Sequence, residues 1–211
     1  MRRPALLSLA AALVLVGGCA GVGQGLGTAP AGSSTAMGTT LRLADGTAIG
    51  EVELRPHGGA TEVEVRLAMP ADGSAGAVRA FHGLHVHANN DPANGEGCVA
   101  DPGQPAATWF VSADGHLKSG TETHGHHDGD MPPLLVNGDG RAAATFTTDR
   151  VPFDQLDGRA VVLHAGPDNL GNVPTGTAAD QYTPNSQAAV DKTRATGNAG
   201  DRLACGVLHP C

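Results

Sequence analysis

The sequence predicts an all-β domain, a sandwich or flattened barrel with long loops, on three observations. Short runs alternate apolar and polar residues with a period of two, and no window carries convincing helical periodicity. Thirty-one Gly and 14 Pro, with aromatic residues at only 3%, fit many short strands joined by turns. The 211 residues suffice for one such domain with a sizeable core plus extra segments.

Residues 1–18 read as an export signal. Arg2 and Arg3 give a charged start, Ala5 to Val16 an apolar run, and Gly17-Gly18 small residues before Cys19. The apolar run is too short to span a bilayer stably. Its end, Val16-Gly17-Gly18-Cys19, resembles the lipobox of bacterial lipoproteins, which implies that Cys19 carries lipid and that the protein is anchored in the cell envelope. Residues 19–37 are then the anchor cysteine and its tether. From Ala20 to Met37 the tether is mostly Gly, Ala, Ser and Thr with no charged residue, a composition that cannot offset its own ordering entropy. The domain itself spans 38–211.

The first strand signals lie between Thr39 and Leu67. Val52 and Leu54 alternate with Glu51, Glu53 and Arg55; Val63, Val65 and Leu67 alternate with Glu62, Glu64 and Arg66. Pro56-His57-Gly58-Gly59 between them reads as a turn, with His57 solvated. The same alternation returns at Leu84 to His87, Ala142 to Thr147 and Ala160 to His164.

The segment His82-Gly83-Leu84-His85-Val86-His87 is the one to which the chemistry points first. On a strand His85 and His87 share one face while Leu84 and Val86 share the other. Two imidazoles on a rigid strand backed by aliphatic side chains present a preformed metal site. The competing reading, two surface histidines, weakens as more ligands accumulate. His116 follows a turn, His124, His126, His127 and Asp130 crowd one loop, and His164 ends the strand Val161-Val162-Leu163. This exceeds what one tetrahedral zinc requires. Imidazole sets suit copper and zinc, and a carboxylate leans toward zinc. The loops that hold these residues, Ala88–Asp130 and Ala165–Asp201, are too long to be mere connections.

Charge narrows the partners. The chain carries −8 with His neutral, and removing the signal leaves 11 of the 13 Lys and Arg against 21 Asp and Glu, a net −10. Such a surface argues against nucleic acid. It also means that an anionic substrate needs a local positive field.

From about Thr39 to Leu208 the chain resembles the copper/zinc superoxide dismutases. Three segments carry the resemblance: His82 to His87, His164-Ala165-Gly166-Pro167-Asp168-Asn169, and Gly197-Asn198-Ala199-Gly200-Asp201-Arg202-Leu203-Ala204-Cys205-Gly206-Val207. It implies a flattened Greek-key β-barrel with long metal-binding and electrostatic loops. That family is itself a known example of sandwich architecture, of electrostatic steering and of diffusion-limited turnover. By position, His85, His87, His116 and His164 match the copper ligands. His116, His124, His127 and Asp130 match the zinc ligands, with His116 bridging. The step from His124 to His127 is shorter than the family pattern, so His126 competes for a zinc position. His82 matches a backbone-supporting residue, and Asp168 one that joins the outer nitrogens of His85 and His124.

The resemblance also pairs Cys98 with Cys205, matches Arg202 to the residue that docks superoxide, and matches Thr196 to one in the access channel. It further implies that His116 leaves copper and takes a proton while zinc holds its other nitrogen. Cys211 lies beyond the family's usual end. It could be free, pair between chains or compete for Cys98. The gap between Cys98 and His116 is longer than in the eukaryotic branch. Trp109 and Phe110, which fall in this insertion, suit either a contact in a homodimer or packing of the loop on itself. Two other function classes are weaker: a copper-storage module gives Arg202 no task, and a zinc hydrolase needs a carboxylate base beside an open site.

Overall fold

A computed structural model of the chain describes residues 36–174 and 186–211; the signal segment, Cys19 and nearly all of the expected tether lie outside them. In chain order the strands are β1 (Met37–Leu43), β2 (Ala48–His57), β3 (Ala60–Ala68), β4 (Ala80–His82), β5 (Leu84–His87), β6 (Leu134–Val136), β7 (Arg141–Thr148), β8 (Ala160–His164), β9 (Arg202–Val207) and β10 (His209–Pro210), with helix α1 (Gln187–Thr196) before β9. β1 begins at Met37, which is buried, so the domain starts one residue inside the stretch assigned to the tether.

The main sheet runs β5-β8-β9-β1-β2-β3-β7, with β10 beside β1, and every pairing is antiparallel. β4 and β6 form a separate ribbon. β4 runs through Gly83 into β5, and β6 turns through Asn137–Gly140 into β7, so the ribbon joins the two edge strands of the main sheet. This is the expected flattened Greek-key barrel. Closing the edges removes unpaired backbone that would otherwise template association.

Alternation decides the interior. Ile49, Val52 and Leu54 of β2 and Val63, Val65 and Leu67 of β3 point inward, while Glu51, Arg55 and Arg66 stay at the surface side. Leu84 and Val86 of β5 join Leu41, Val161 and Leu163 in this core. A smaller cluster lies outside the barrel: Phe110, Ala113, Ala160, Val162 and Cys205, with Trp109 and Cys98 packed against it. Phe110 and Trp109 thus pack the long loop onto the sheet, and Trp109 Nε1 donates to the carbonyls of Asp101 and Gln104.

The helix contradicts the sequence reading of a helix-free chain. Ser186 caps its N-terminus by accepting from Ala189 N, and Gly197, at φ +58, ends it with an N–H bond to Thr193 O. Among its residues only Ala189 and Thr193 are buried. Two small buried side chains leave no apolar stripe for periodicity to detect.

Candidate metal centre

β5 presents the first histidines as its alternation requires. Leu84 and Val86 face the core, and His85 and His87 face the opposite way yet are also buried, 0% and 1% exposed. Loop segments cover them. Residues 115–117 run along β5, with Ala88 N bonding Gly115 O and Leu117 N bonding Val86 O. The bridges His87–His116 and His85–Asp130 continue this edge. His116 therefore sits on an extension of the sheet and not in a free loop. β8 pairs with β5 and brings His164 from its C-terminal end.

Four imidazoles, of His85, His87, His116 and His164, offer ligand atoms all within 4.8 Å of one another. A second set of four within the same limit comprises His85, His116, His124 and Asp130. His127 joins it: Asp130 Oδ1 lies 2.8 Å from His116 Nδ1, 3.3 Å from His127 Nδ1 and 3.5 Å from His124 Nδ1. His116 belongs to both sets, and His85 lies within reach of both. His126 is exposed and outside them, so the short turn selects His127 over its neighbour.

The outer nitrogens are committed elsewhere. His85 Nε2 donates to Asp168 Oδ2 at 2.9 Å, and His124 Nε2 meets Asp168 Oδ1 at 3.0 Å. His87 Nδ1 donates to Asp114 O at 2.8 Å, and His164 Nδ1 to Gly200 O at 3.2 Å. A neutral imidazole that donates from one nitrogen carries a lone pair on the other. His87 Nε2 and His164 Nε2 thus turn two lone pairs toward each other at 3.4 Å. His85 Nδ1 and His124 Nδ1 are buried without a hydrogen-bond partner. Buried polar groups left so demand an explanation, and cations between them supply it. The donor sets fit the expected metals: imidazoles alone in one, imidazoles with a carboxylate in the other.

Electrostatics agree. Burial pushes the imidazoles of His87, His116 and His164 down, to about 4 for His116 and about 3 for His164, and holds all three neutral at neutral pH. Burial also opposes charge on His124, but the neighbouring carboxylates of Asp130 and Asp168 outweigh it and raise that ring to about 9. Burial would raise the carboxyl groups of Asp130 and Asp168, yet their histidine partners hold both well below the usual range. A cation held by His124 would take the place of its added proton.

A cleft of about 550 Å³ opens onto this cluster, lined by His87, His116, His164, Lys192, Thr196 and Arg202 among others. Arg202 Nη1 bonds Phe110 O and Nη2 bonds Asp114 O. Asp114 holds an unusual backbone, φ +64, because its carboxylate accepts from Asn90 N and Asp91 N and from Asn94 Nδ2. That conformation turns its carbonyl toward His87 and Arg202. Cys98 and Cys205 form a disulfide, as the resemblance implied, which fastens the same loop to β9; Cys211 therefore does not compete for Cys98, and it is not a free thiol either. His82 bonds the carbonyls of His164 and Ala77 and gives no nitrogen to the site. Reading the sequence missed Lys192 because it missed α1; the caps Ser186 and Gly197 were the available signal. The Asp114 carbonyl, a backbone group, left no signal at all.

Known proteins resemble this chain. A family model described as copper/zinc superoxide dismutase (SODC) matches residues 48–208. The Cu-Zn superoxide dismutase of Mycolicibacterium paratuberculosis is 31% identical over 193 residues, covering 88% of this chain and 79% of that relative. Cu-Zn superoxide dismutase 2 of Brassica juncea is 33% identical over 131 residues, covering 61% of this chain and 71% of its own. Among solved structures, the Cu/Zn superoxide dismutase from Brucella abortus aligns with a TM-score of 0.55 at 23% identity, over 82% of this chain and 98% of that one, a likeness of fold.

Proposed function

This chain belongs to the copper/zinc superoxide dismutase family and is an oxidoreductase of that class, with copper and zinc as its metals; on that premise we propose how its residues divide the reaction. His85, His87, His116 and His164 would hold copper, and His116, His124, His127 and Asp130 would hold zinc. Copper, when bound, supplies the one-electron cycle that oxidises one superoxide and reduces the next, a cycle that zinc lacks.

The chain's own groups do the rest. Two superoxide anions and two protons give one oxygen and one hydrogen peroxide. Arg202, whose guanidinium stays charged and is fixed by two carbonyls, docks the anion at the base of the cleft. Both protons come from water in the cleft, one of them relayed through His116 Nε2, while His116 Nδ1 keeps its place beside Asp130. Asp168 orients His85 and His124 together, since one carboxylate reaches both rings.

The observation that supports this division best is the position of His116. Its Nδ1 lies 2.8 Å from Asp130 Oδ1, and its ring centre lies 4.0 Å from that of His85 and 5.0 Å from that of His87. Metal analysis beside a superoxide assay tests it. His164→Ala should lose copper and activity and keep zinc, whereas His116→Ala should impair both metals. Full copper in His164→Ala contradicts the assignment.

The enzyme works at the cell envelope, exported and held on a membrane by lipid at Cys19. The sequence Val16-Gly17-Gly18-Cys19 and the uncharged stretch after it support this. Cys19→Ser should move the protein from the membrane fraction to the soluble one. Unchanged membrane retention contradicts the anchor.

A further inference from the structure

The turn from His124 to His127 is tight, and its two successive carbonyls are gripped from outside the loop. Asn172 Nδ2 donates to His124 O at 2.7 Å, and Arg150 Nη1 donates to Gly125 O at 2.5 Å. Two N–H groups of the same turn face inward, while His124 N donates to Arg194 O on α1 and His126 N to Thr123 O. Gly125 N and His127 N donate to Asp130 Oδ2, at 2.6 and 3.1 Å, which leaves Oδ1 for the three imidazoles. Gly125 itself sits at φ +85, a conformation that needs glycine.

One short segment therefore carries two ring ligands and sets the orientation of the carboxylate. A turn of so few residues buries little apolar surface of its own. Its geometry must come from partners elsewhere in the fold. Arg150 stands after β7 and Asn172 in the long loop after β8, so the two grips are independent in sequence.

We propose that Arg150 and Asn172 are positioning residues for the zinc site, holding the His124–His127 turn in the shape that brings His124, His127 and Asp130 together. This rests on the assignment of those residues to zinc. Neither side chain touches a ring nitrogen of the site or the Arg202 cleft, so their effect passes through the peptide groups of the turn. Partners of this kind typically change metal affinity by about 10- to 100-fold.

The test measures zinc dissociation by competition with a chromogenic chelator on the copper- and zinc-loaded protein, with copper content followed in the same samples. Arg150→Ala and Asn172→Ala should each weaken zinc by about tenfold or more. Arg150→Lys, which can still donate to Gly125 O, should recover most of the loss. The Tm of the metal-free variants should match that of the unsubstituted protein, which a general structural defect would not allow. Zinc held as tightly in Arg150→Ala and Asn172→Ala as in the unsubstituted protein overturns the proposal. So does an equal loss of copper, or a lowered Tm without metal. An unsubstituted protein that takes up no zinc overturns the site assignment itself, a result distinct from failure of the clamp.

Discussion

Arg202 and His87 share one acceptor: the carbonyl oxygen of Asp114 receives Nη2 of the guanidinium and Nδ1 of the imidazole. One peptide group thus positions both the residue proposed to dock the anion and one of the proposed copper ligands. The chain carries a net −8, which repels superoxide at long range, so capture depends on charge near the mouth of the cleft. Arg202→Ile should lower the second-order rate by about tenfold and flatten its salt dependence, with copper content unchanged. Stopped-flow or pulse-radiolysis rates at several ionic strengths check this. An undiminished rate at low salt contradicts it.

The disulfide packs with Phe110, whose carbonyl accepts from Arg202. Cys98 and Cys205 are 107 residues apart in sequence, and a closure of that length contributes about 4–5 kcal/mol in the chain-entropy model. Replacing both by Ser should lower stability by that order in denaturant titration. It should also lower the superoxide rate in protein that keeps its copper, because the Phe110–Asp114 carbonyls lose their fastening to β9. Full activity at full copper would separate the disulfide from Arg202.

Gly197 is where two requirements meet. Its φ of +58 ends α1, and a Cβ there would overlap His124 Nε2 and Asp168 Oδ1. Gly197→Ala should cost about 1–3 kcal/mol of stability in the metal-free protein and weaken zinc retention. Thermal denaturation with zinc titration checks both. A variant that matches the parent in each means that the helix end can shift freely.

The strands were legible because alternation survives wherever one sheet face is buried, as at Val52–Leu54 and Val63–Leu67. Three members of the four-histidine cluster were legible because His85, His87 and His164 lie in distinctive short segments, the first ending at His87 and the second beginning at His164. Helix α1 was not, since it buries only Ala189 and Thr193 and its limits rest on caps. The resemblance pointed to His127 but left His126 as a rival. The choice between them depends on which side of a tight turn faces Asp130, and local backbone bonds to Asp130 Oδ2 decide that. Arg150, Asn172 and the Asp114 carbonyl act on or through the backbone, and a backbone contact between distant segments leaves no residue-type signature.

Acid should destabilise the metal-free protein from the upper side of the histidine range. His164 and His116 titrate at about 3 and 4 in the folded chain, and His87 well below its ordinary value, against about 6.5 when unfolded. Below pH 6.5 the unfolded chain binds more protons, so stability falls as pH drops toward those folded values. Each such imidazole contributes up to about 1.4 kcal/mol per pH unit. His124 runs the other way: raised to about 9, it stabilises fully below pH 6.5 and loses that contribution as pH rises through 9. Denaturant titrations should therefore show greatest metal-free stability near pH 6.5, with the steeper fall on the acid side. A flat profile between pH 4 and 6.5 contradicts the buried neutral set.

The central claim is that one imidazole serves two metals. Crystals of the copper- and zinc-loaded protein, measured at the absorption edge of each element, test it most directly. The account predicts a copper peak among His85, His87, His116 and His164, a zinc peak among His116, His124, His127 and Asp130, and the His116 ring between them. A single metal peak in the fully loaded protein, or His116 bound to one ion with the other ion elsewhere, would contradict it.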